Sequence, residues 1–179
     1  MAKLIIIVGM GGSGKSHLCD EIAKERGSAL FKDATLTKND WRRAGHDCLG
    51  EMVARLLGRD EDCVMDEAHL TDANFRNAFK DFCNTFLTGV EQEWIFFEHD
   101  VLACINNVFH DAQTTRRDEP SRLKSLGNQV DSYKIPLPHE FPGYTQPRPV
   151  FKQPNAKFAH EADAREWLRG EIERLEAKT

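Results

Sequence analysis

The chain has 179 residues, of which 40% are hydrophobic and 30% are charged, and its net charge at pH 7 is −5. These values predict one soluble globular domain that spans residues 1–179 and buries a real core. The acidic balance excludes a surface that attracts polyanions as a whole, so nucleic acid would have to bind at a local basic patch.

The sequence carries no signal for membrane insertion or disulfide formation. The opening apolar run is too short to span a membrane and is needed as the first strand, and we recognise no signal peptide. The cysteines are scattered without a C-x-x-C pair, so we expect reduced thiols in the cytoplasm and no structural metal. They are Cys19, Cys48, Cys63, Cys83 and Cys104.

The first predicted element is a strand that leads into a glycine-rich loop. Leu4–Val8 is apolar and β-branched, which predicts a buried parallel strand, and residues 9–16 then read G-x-x-x-x-G-K-S. Strand, loop and following helix predict a phosphate-binding P-loop, in which Lys15 reaches the β- and γ-phosphates and Ser16 binds Mg²⁺. The predicted ATP-binding residues here are Gly9, Gly11, Gly12, Ser13, Gly14, Lys15, Ser16 and His17.

Strands and helices alternate along the rest of the chain, with a proline-rich, irregular segment at residues 136–149. Further strands are predicted at 29–31, 63–65, 94–97 and 150–151. Helices are predicted at 18–26, 49–57, 75–87, 101–112, 123–133 and 164–175. The pattern predicts an α/β fold with three layers, a parallel sheet covered by helices on both faces, and ligands at the carboxyl ends of its strands.

Acidic residues follow two of these strands, namely Asp33 after the second and Asp66 and Glu67 after the third. Residues 66–69 read D-E-A-H, the second motif of one helicase class, in which the Asp holds Mg²⁺ and the Glu activates water. A helicase motor needs a second such domain, which this chain does not supply. We predict Asp66 as a metal ligand with Ser16, and Asp66, Glu67 and His69 as substrate contacts. A packing or capping role for His69 is equally open.

Residues 3–135 resemble the P-loop kinase family, and within it the kinase domain of phage polynucleotide kinases. The resemblance is carried by G-x-x-x-x-G-K-S, by residues 40–43 (D-W-R-R), by residues 66–70 (D-E-A-H-L) and by an arginine segment at 113–122. It implies a P-loop NTPase fold with a five-stranded parallel sheet in the order 2-3-1-4-5. It also implies ATP and Mg²⁺ as cofactors and an arginine-bearing lid over about residues 113–134.

The resemblance also implies roles for individual residues around the transferred phosphoryl group. In these kinases the Asp of a D-x-x-R motif takes the proton of the acceptor hydroxyl, and Asp40 has that spacing from Arg43. Pairing the motif's arginine with Arg42 would put Asn39 at that position, so Asp33 stays a second candidate base. The remaining predictions are charge neutralisation by Arg116 and Arg117, ATP binding by Arg122, and substrate binding by Trp41, Arg42 and Arg43.

The acceptor is the least determined part of the reaction. Compact relatives in phages that hypermodify thymine phosphorylate the 5-hydroxymethyl group of 5-hydroxymethyldeoxyuridine in DNA, and this chain resembles them in size and core. That resemblance implies a DNA or nucleotide partner, no membrane, and the host cytoplasm if a phage encodes the protein. The alternatives are a 5′-hydroxyl polynucleotide kinase, a small nucleoside or nucleotide kinase, and a nucleotide-dependent ATPase or switch.

Overall fold

The structure is a computed structural model that describes residues 1–31, 47–115 and 119–177. The strands of this described part are Lys3–Val8 (β1), Ala29–Phe31 (β2), Cys63–Asp66 (β3) and Glu91–Phe96 (β4). Its α-helices are Lys15–Arg26 (α1), Asp47–Val53 (α2), Ala73–Phe86 (α3), Val101–Thr115 (α4), Glu119–Ser132 (α5) and Glu161–Glu176 (α6). Short 3-10 helices lie at Ala68–Thr71 and Pro138–Glu140.

The strands form one parallel sheet in the order β2-β3-β1-β4, with helices on both of its faces. β1 lies between β3 and β4, and its residues from Leu4 to Val8 are fully buried. A central parallel strand is covered on both faces, which is why this stretch is apolar without alternation. The register pairs Ile7 with Asp66 and Val8 with Phe96, so the carboxyl ends of the central strands meet at one edge. This confirms the predicted α/β fold with a covered parallel sheet.

The predicted five-stranded sheet in the order 2-3-1-4-5 is wrong for the described residues, because residues 150–151 form no strand. The chain runs beside β4 earlier, where Arg148 N donates to Phe96 O at 2.7 Å and Glu98 N donates to Arg148 O at 2.8 Å. In this region the structure has an isolated parallel bridge between Phe97 and Arg148 instead of a strand. Pro147 and Pro149 flank it, and proline within a sheet is confined to edge strands and strand ends, which fits a single bridge at the edge of this sheet.

The bounds of two predicted helices differ from those in the structure. The helix predicted at 49–57 is α2 followed by a π-helical turn at Ala54–Gly58. The short helix predicted at 123–133 begins earlier, as α5, and runs to Ser132. Residues 136–149 are irregular apart from one 3-10 turn, as their prolines indicate.

Four of the cysteines have buried side chains, and no disulfide joins these four: Cys19, Cys63, Cys83 and Cys104. Burial raises the pKa of Cys63 to about 12, so this thiol stays protonated. In the described ranges no helix combines the length and the apolar character that a membrane crossing requires.

Gly143 allows the proline-rich segment to pack against β4. Its φ is +59°, and a Cβ there would lie 2.2 Å from the carbonyl oxygen of Gln92. We expect Gly143→Ala to lower the free energy of unfolding by about 2–4 kcal/mol, since it adds a backbone clash to the strain of a positive φ.

Gly27→Ala is the matched control, because Gly27 has a φ of +65° and open space around the added Cβ. Gly27→Ala should lower the free energy of unfolding by about 1–2 kcal/mol, which is the strain of a residue with a Cβ at a positive φ. Urea unfolding of both variants measures the difference, and equal losses would show that the close approach to β4 is not what Gly143 provides.

Candidate functional site

The glycine-rich loop between β1 and α1 has the backbone of an anion-binding loop. Gly12 and Gly14 have φ values of +79° and +100°, a region that residues with a Cβ rarely adopt. A Cβ on Gly12 would also lie 2.4 Å from the carbonyl oxygen of Cys104 on α4. Gly14 immediately precedes α1, so the loop delivers its N–H groups to the positive end of that helix.

Two side chains that follow the loop are placed for phosphate and metal binding. Lys15 Nζ donates to the carbonyl of Met10 at 3.0 Å, which holds the ammonium beside the loop. Ser16 Oγ donates to Asp66 Oδ2 at 2.9 Å, and Asp66 is only 1% exposed. These are hard oxygen ligands of the kind that Mg²⁺ takes, and Mg²⁺ sites in such proteins use few side chains beside phosphate and water. The residues present therefore fit the predicted metal.

An open cleft of about 560 Å³ surrounds the loop, within the size range of small-molecule sites. Some of its lining residues are predicted ATP-binding residues: Gly12, Gly14, Lys15, Ser16, His17 and Arg122. The others were not predicted: Asp20, Asn107, Asp111, Phe151 and Gln153. None of the latter belongs to a local motif. Phe151 is predicted from the sequence only as part of a short strand, and in the structure this residue is 63% exposed.

Charged side chains of the cleft are paired with neighbours on their own or adjacent helices. Arg122 Nη2 lies 3.0 Å from Asp111 Oδ2, which joins the start of α5 to α4 beside the P-loop. His17 is largely exposed, with Nε2 3.3 Å from Glu21 Oε1. Both residues thus lie where the sequence predicts an ATP contact, while the contact itself stays a prediction.

The P-loop is held in place by two buried side-chain amides. Asn107 Nδ2 on α4 donates to Gly12 O and to Phe151 O, each at 2.8 Å. Gln129 Oε1 on α5 accepts from the backbone N–H of Gly11 at 2.7 Å, and its Nε2 lies 3.4 Å from Ala68 O. The loop is therefore fixed to both helices and to the segment that follows β3.

The carboxyl end of β3 carries a second group of polar residues. Glu67 is 3% exposed, and its Oε1 accepts from the backbone N–H of His69 at 3.0 Å. The same oxygen lies 2.5 Å from His69 Nδ1, and the His69 ring packs against Phe75 with centroids 5.6 Å apart. Asp66 thus contacts Ser16, whereas Glu67 contacts His69.

A buried arginine fixes the chain just beyond His69. Arg76 on α3 donates to Leu70 O at 2.8 Å and to Lys134 O at 3.1 Å, and its guanidinium lies over the Phe96 ring at 5.7 Å. Burial lowers the pKa of Arg76 from its usual value. Its contacts with carbonyls and an aromatic face offset part of that cost and anchor the turn after β3.

The thiol of Cys104 lies under the P-loop on α4. Burial raises its pKa to about 12, while the positive charge of Lys15 acts in the opposite direction. A thiol that stays protonated adds no negative charge beneath a site for anions.

The remaining predicted site residues lie outside the described part of the chain, so their assignments stay predictions. They are Asp33, Asp40, Trp41, Arg42, Arg43, Arg116 and Arg117.

Comparison with known proteins places the chain beside an uncharacterised viral protein. It is 31% identical over 109 residues to the uncharacterized protein R277 of Acanthamoeba polyphaga mimivirus, a match that covers 59% of this chain and 70% of that protein. No protein-family model matches the chain.

Solved structures share the fold at low sequence identity. A putative kinase from Chloroflexus aurantiacus superposes with a TM-score of 0.51 and 13% identity, over 97% of each chain. A fungal RNA kinase superposes with a TM-score of 0.54 and 14% identity, over 96% of this chain and 85% of that one. At this level of identity the likeness shows a shared α/β fold alone, and the chemistry has to be argued from the site.

The amide of Asn107 provides a direct test of how the loop is held. Asn107→Asp keeps the size of the side chain but replaces the N–H₂ donor by oxygen, which would face the carbonyls of Gly12 and Phe151. We expect the free energy of unfolding to fall by about 2–3 kcal/mol, because buried acceptors lose their donor.

The control is Asn128→Asp, which makes the same chemical change at an exposed position of α5. It should change stability by about 0.5 kcal/mol or less. Thermal and urea unfolding compare the two variants. If Asn107→Asp were as stable as the control, the two 2.8 Å contacts would not hold the loop.

Proposed function

This chain belongs to the same family as the mimivirus protein R277, and we propose that it is an ATP-dependent phosphotransferase that moves the γ-phosphoryl group of ATP to a hydroxyl group. The observation that carries the proposal is the 2.9 Å contact between Ser16 Oγ and buried Asp66, directly behind a complete P-loop. A glycine-rich loop by itself accommodates many anions. A loop serine held against a buried aspartate adds the oxygen ligands that P-loop enzymes use for Mg²⁺.

The residues of the site supply position and charge in this reaction. The oxygen of the acceptor hydroxyl attacks the γ-phosphorus while its proton passes to a base, for which the sequence predicts Asp40 or Asp33. The bond from that phosphorus to the bridging oxygen breaks, and ADP leaves with the electron pair. Bound Mg²⁺ would neutralise part of the phosphate charge. Lys15 and the loop N–H groups hold the phosphates, and Arg122 lies in the same cleft. Arg116 and Arg117 are proposed to act on the transferred group.

The part of the cleft away from the loop is proposed to hold the base of the nucleotide. Its wall includes the exposed ring of Phe151, and Asn107 ties the Phe151 carbonyl to the loop at Gly12. This link keeps the backbone of Phe151 at a fixed place relative to the phosphate site. An exposed aromatic ring in such a place can stack on a base.

We propose a hydroxyl group of DNA as the acceptor, with the 5-hydroxymethyl group of 5-hydroxymethyldeoxyuridine as the first to test. The proposal rests on the sequence resemblance stated above, and a solved structure of the same fold is named an RNA kinase. A base in a duplex must be unstacked to react, at a cost of a few kcal/mol, for which Trp41 as a stacking platform and Arg42 or Arg43 as phosphate contacts are proposed. The alternatives are a 5′-hydroxyl end and a free nucleoside or nucleotide.

The test of this function is transfer of label from γ-labelled ATP to a panel of acceptors. The panel contains DNA with 5-hydroxymethyldeoxyuridine and phosphorylated 5′ ends, a 5′-hydroxyl oligonucleotide, nucleosides and nucleotides. Label at internal positions identifies a base hydroxyl as acceptor, and label only at ends or on small molecules selects the corresponding alternative. Release of labelled phosphate at one rate whatever acceptor is added would replace the transferase by an ATPase.

Lys15→Ala is the control for the panel, because Lys15 neutralises phosphate charge and fills no core. We expect a folded protein, by circular dichroism, with transfer reduced by about a hundredfold or more. A folded Lys15→Ala protein with unchanged turnover would contradict a P-loop mechanism.

A separate prediction concerns the base of the nucleotide. Phe151→Ala should raise the Kd for ATP by about 5- to 150-fold, corresponding to the 1–3 kcal/mol of one stacked base. Phe86→Ala is the control, since Phe86 is 60% exposed but lies at the end of α3 and does not line the cleft. Titration with a fluorescent ATP analogue measures both, and equal affinities for the two variants would remove Phe151 from the nucleotide site.

A further inference from the structure

Just after β3, the side chains of Glu67 and His69 are in contact, and the Glu67 carboxylate orients the His69 imidazole ring. Glu67 is buried, and its Oε1 lies 2.5 Å from His69 Nδ1 and also accepts from the His69 backbone N–H. With Glu67 ionised, its oxygens only accept hydrogen bonds, so the tautomer that fits this contact carries its proton on Nδ1 and leaves Nε2 as an acceptor. Half of the His69 side chain is exposed, so the ring is open to a substrate.

Contacts on both sides fix this pair relative to the phosphate site. Asp66, the residue before Glu67, accepts from Ser16 of the P-loop at 2.9 Å. Ala68, between the two members of the pair, lies 3.4 Å from Gln129 Nε2, whose Oε1 accepts from Gly11 of the loop. The imidazole therefore belongs to the same edge of the sheet as the P-loop, and that edge is tied together by hydrogen bonds.

We propose that His69 is a catalytic residue that takes the proton of the acceptor hydroxyl, and that Glu67 is the positioning residue that orients it. This inference rests on the proposed phosphotransferase function. The acceptor oxygen bonds to the γ-phosphorus while its proton passes to His69 Nε2, the bond to the β-phosphate oxygen breaks, and ADP leaves. His69 then returns the proton to solvent.

The geometry favours His69 over Glu67 for the contact with the acceptor. Glu67 is 3% exposed and its Oε1 is engaged by His69, whereas the His69 ring reaches solvent. A nucleophile's base that is itself held by a third group is the usual arrangement of an activated hydroxyl. The sequence offers Asp40 and Asp33 as competing bases, and the experiment includes both.

The experiment measures transfer from γ-labelled ATP to DNA containing 5-hydroxymethyldeoxyuridine and to a 5′-hydroxyl oligonucleotide. His69→Ala should lower kcat by about a hundredfold or more, with the Kd for ATP unchanged within about twofold. Imidazole added to the buffer should raise the kcat of His69→Ala at least about tenfold, because it can occupy the space of the missing ring. The kcat of His69→Gln should fall by the same factor and should not respond to imidazole, since the glutamine side chain fills that space.

Two further variants separate a catalytic role from a structural one. Glu67→Gln should lower kcat by about tenfold or more without weakening ATP binding, because the amide can donate to Nδ1 and favour the wrong tautomer. His99→Ala is the matched control: His99 follows β4, and its Nε2 lies 3.0 Å from Val130 O. It should transfer label within about threefold of the unmodified protein and show no response to imidazole.

The inference is overturned if the kcat of His69→Ala stays within about threefold of that of the unmodified protein. It is also overturned if imidazole does not restore the activity of His69→Ala while His69→Gln is fully active. It is also overturned if Asp40→Asn or Asp33→Asn lowers kcat by about a hundredfold while His69→Ala does not. These outcomes all require an unmodified protein that transfers label. If that protein labels no acceptor and Lys15→Ala changes nothing, it is the proposed function that fails.

Discussion

The hydrogen bond between Ser16 and Asp66 depends on the register of two neighbouring strands. Ile7 of β1 is paired with Asp66 of β3, so the loop that leaves β1 and the carboxylate that ends β3 arrive together. Successive side chains of a strand point to opposite faces, so a slip of one residue would turn Asp66 away from the loop. The fully apolar β1 fixes this register through the core, and the polar site is a consequence of that packing.

The groups that hold the P-loop are neutral. Asn107 and Gln129 bind its carbonyl and N–H groups, and the nearby thiol of Cys104 is kept protonated by burial. A buried carboxylate in either amide position would repel the phosphates of a nucleotide, and a buried cation would compete with Lys15 for them. Amides satisfy the backbone of the loop without adding a net charge to the positive field of Lys15 and the helix terminus.

The sequence predicts the parts of this site that depend on local chemistry, and misses those that depend on distant packing. Strand, glycine loop and helix are contiguous, so the P-loop follows from residues 4–26 alone. Asn107 and Gln129 come from helices far along the chain, and nothing in their neighbourhood marks them as partners of the loop. The fifth strand was wrong because it was predicted from the strand propensity of Val150 and Phe151 alone, whereas the chain meets β4 only at Arg148, between two prolines.

The reactivity of the buried thiols can be used to measure local opening of the protein. A thiol reacts as the thiolate, and one that is buried and protonated is inert until the surrounding structure opens. Cys104 is buried on α4, the helix whose backbone approaches Gly12, so alkylation of its sulfur requires α4 to separate from the elements that cover it. Cys83 is buried on α3, the helix that also buries Phe75 and Phe79, so its labelling rate follows a different part of the core. The order in which these thiols become reactive would reveal whether the phosphate loop and the sheet behind it open as one cooperative unit.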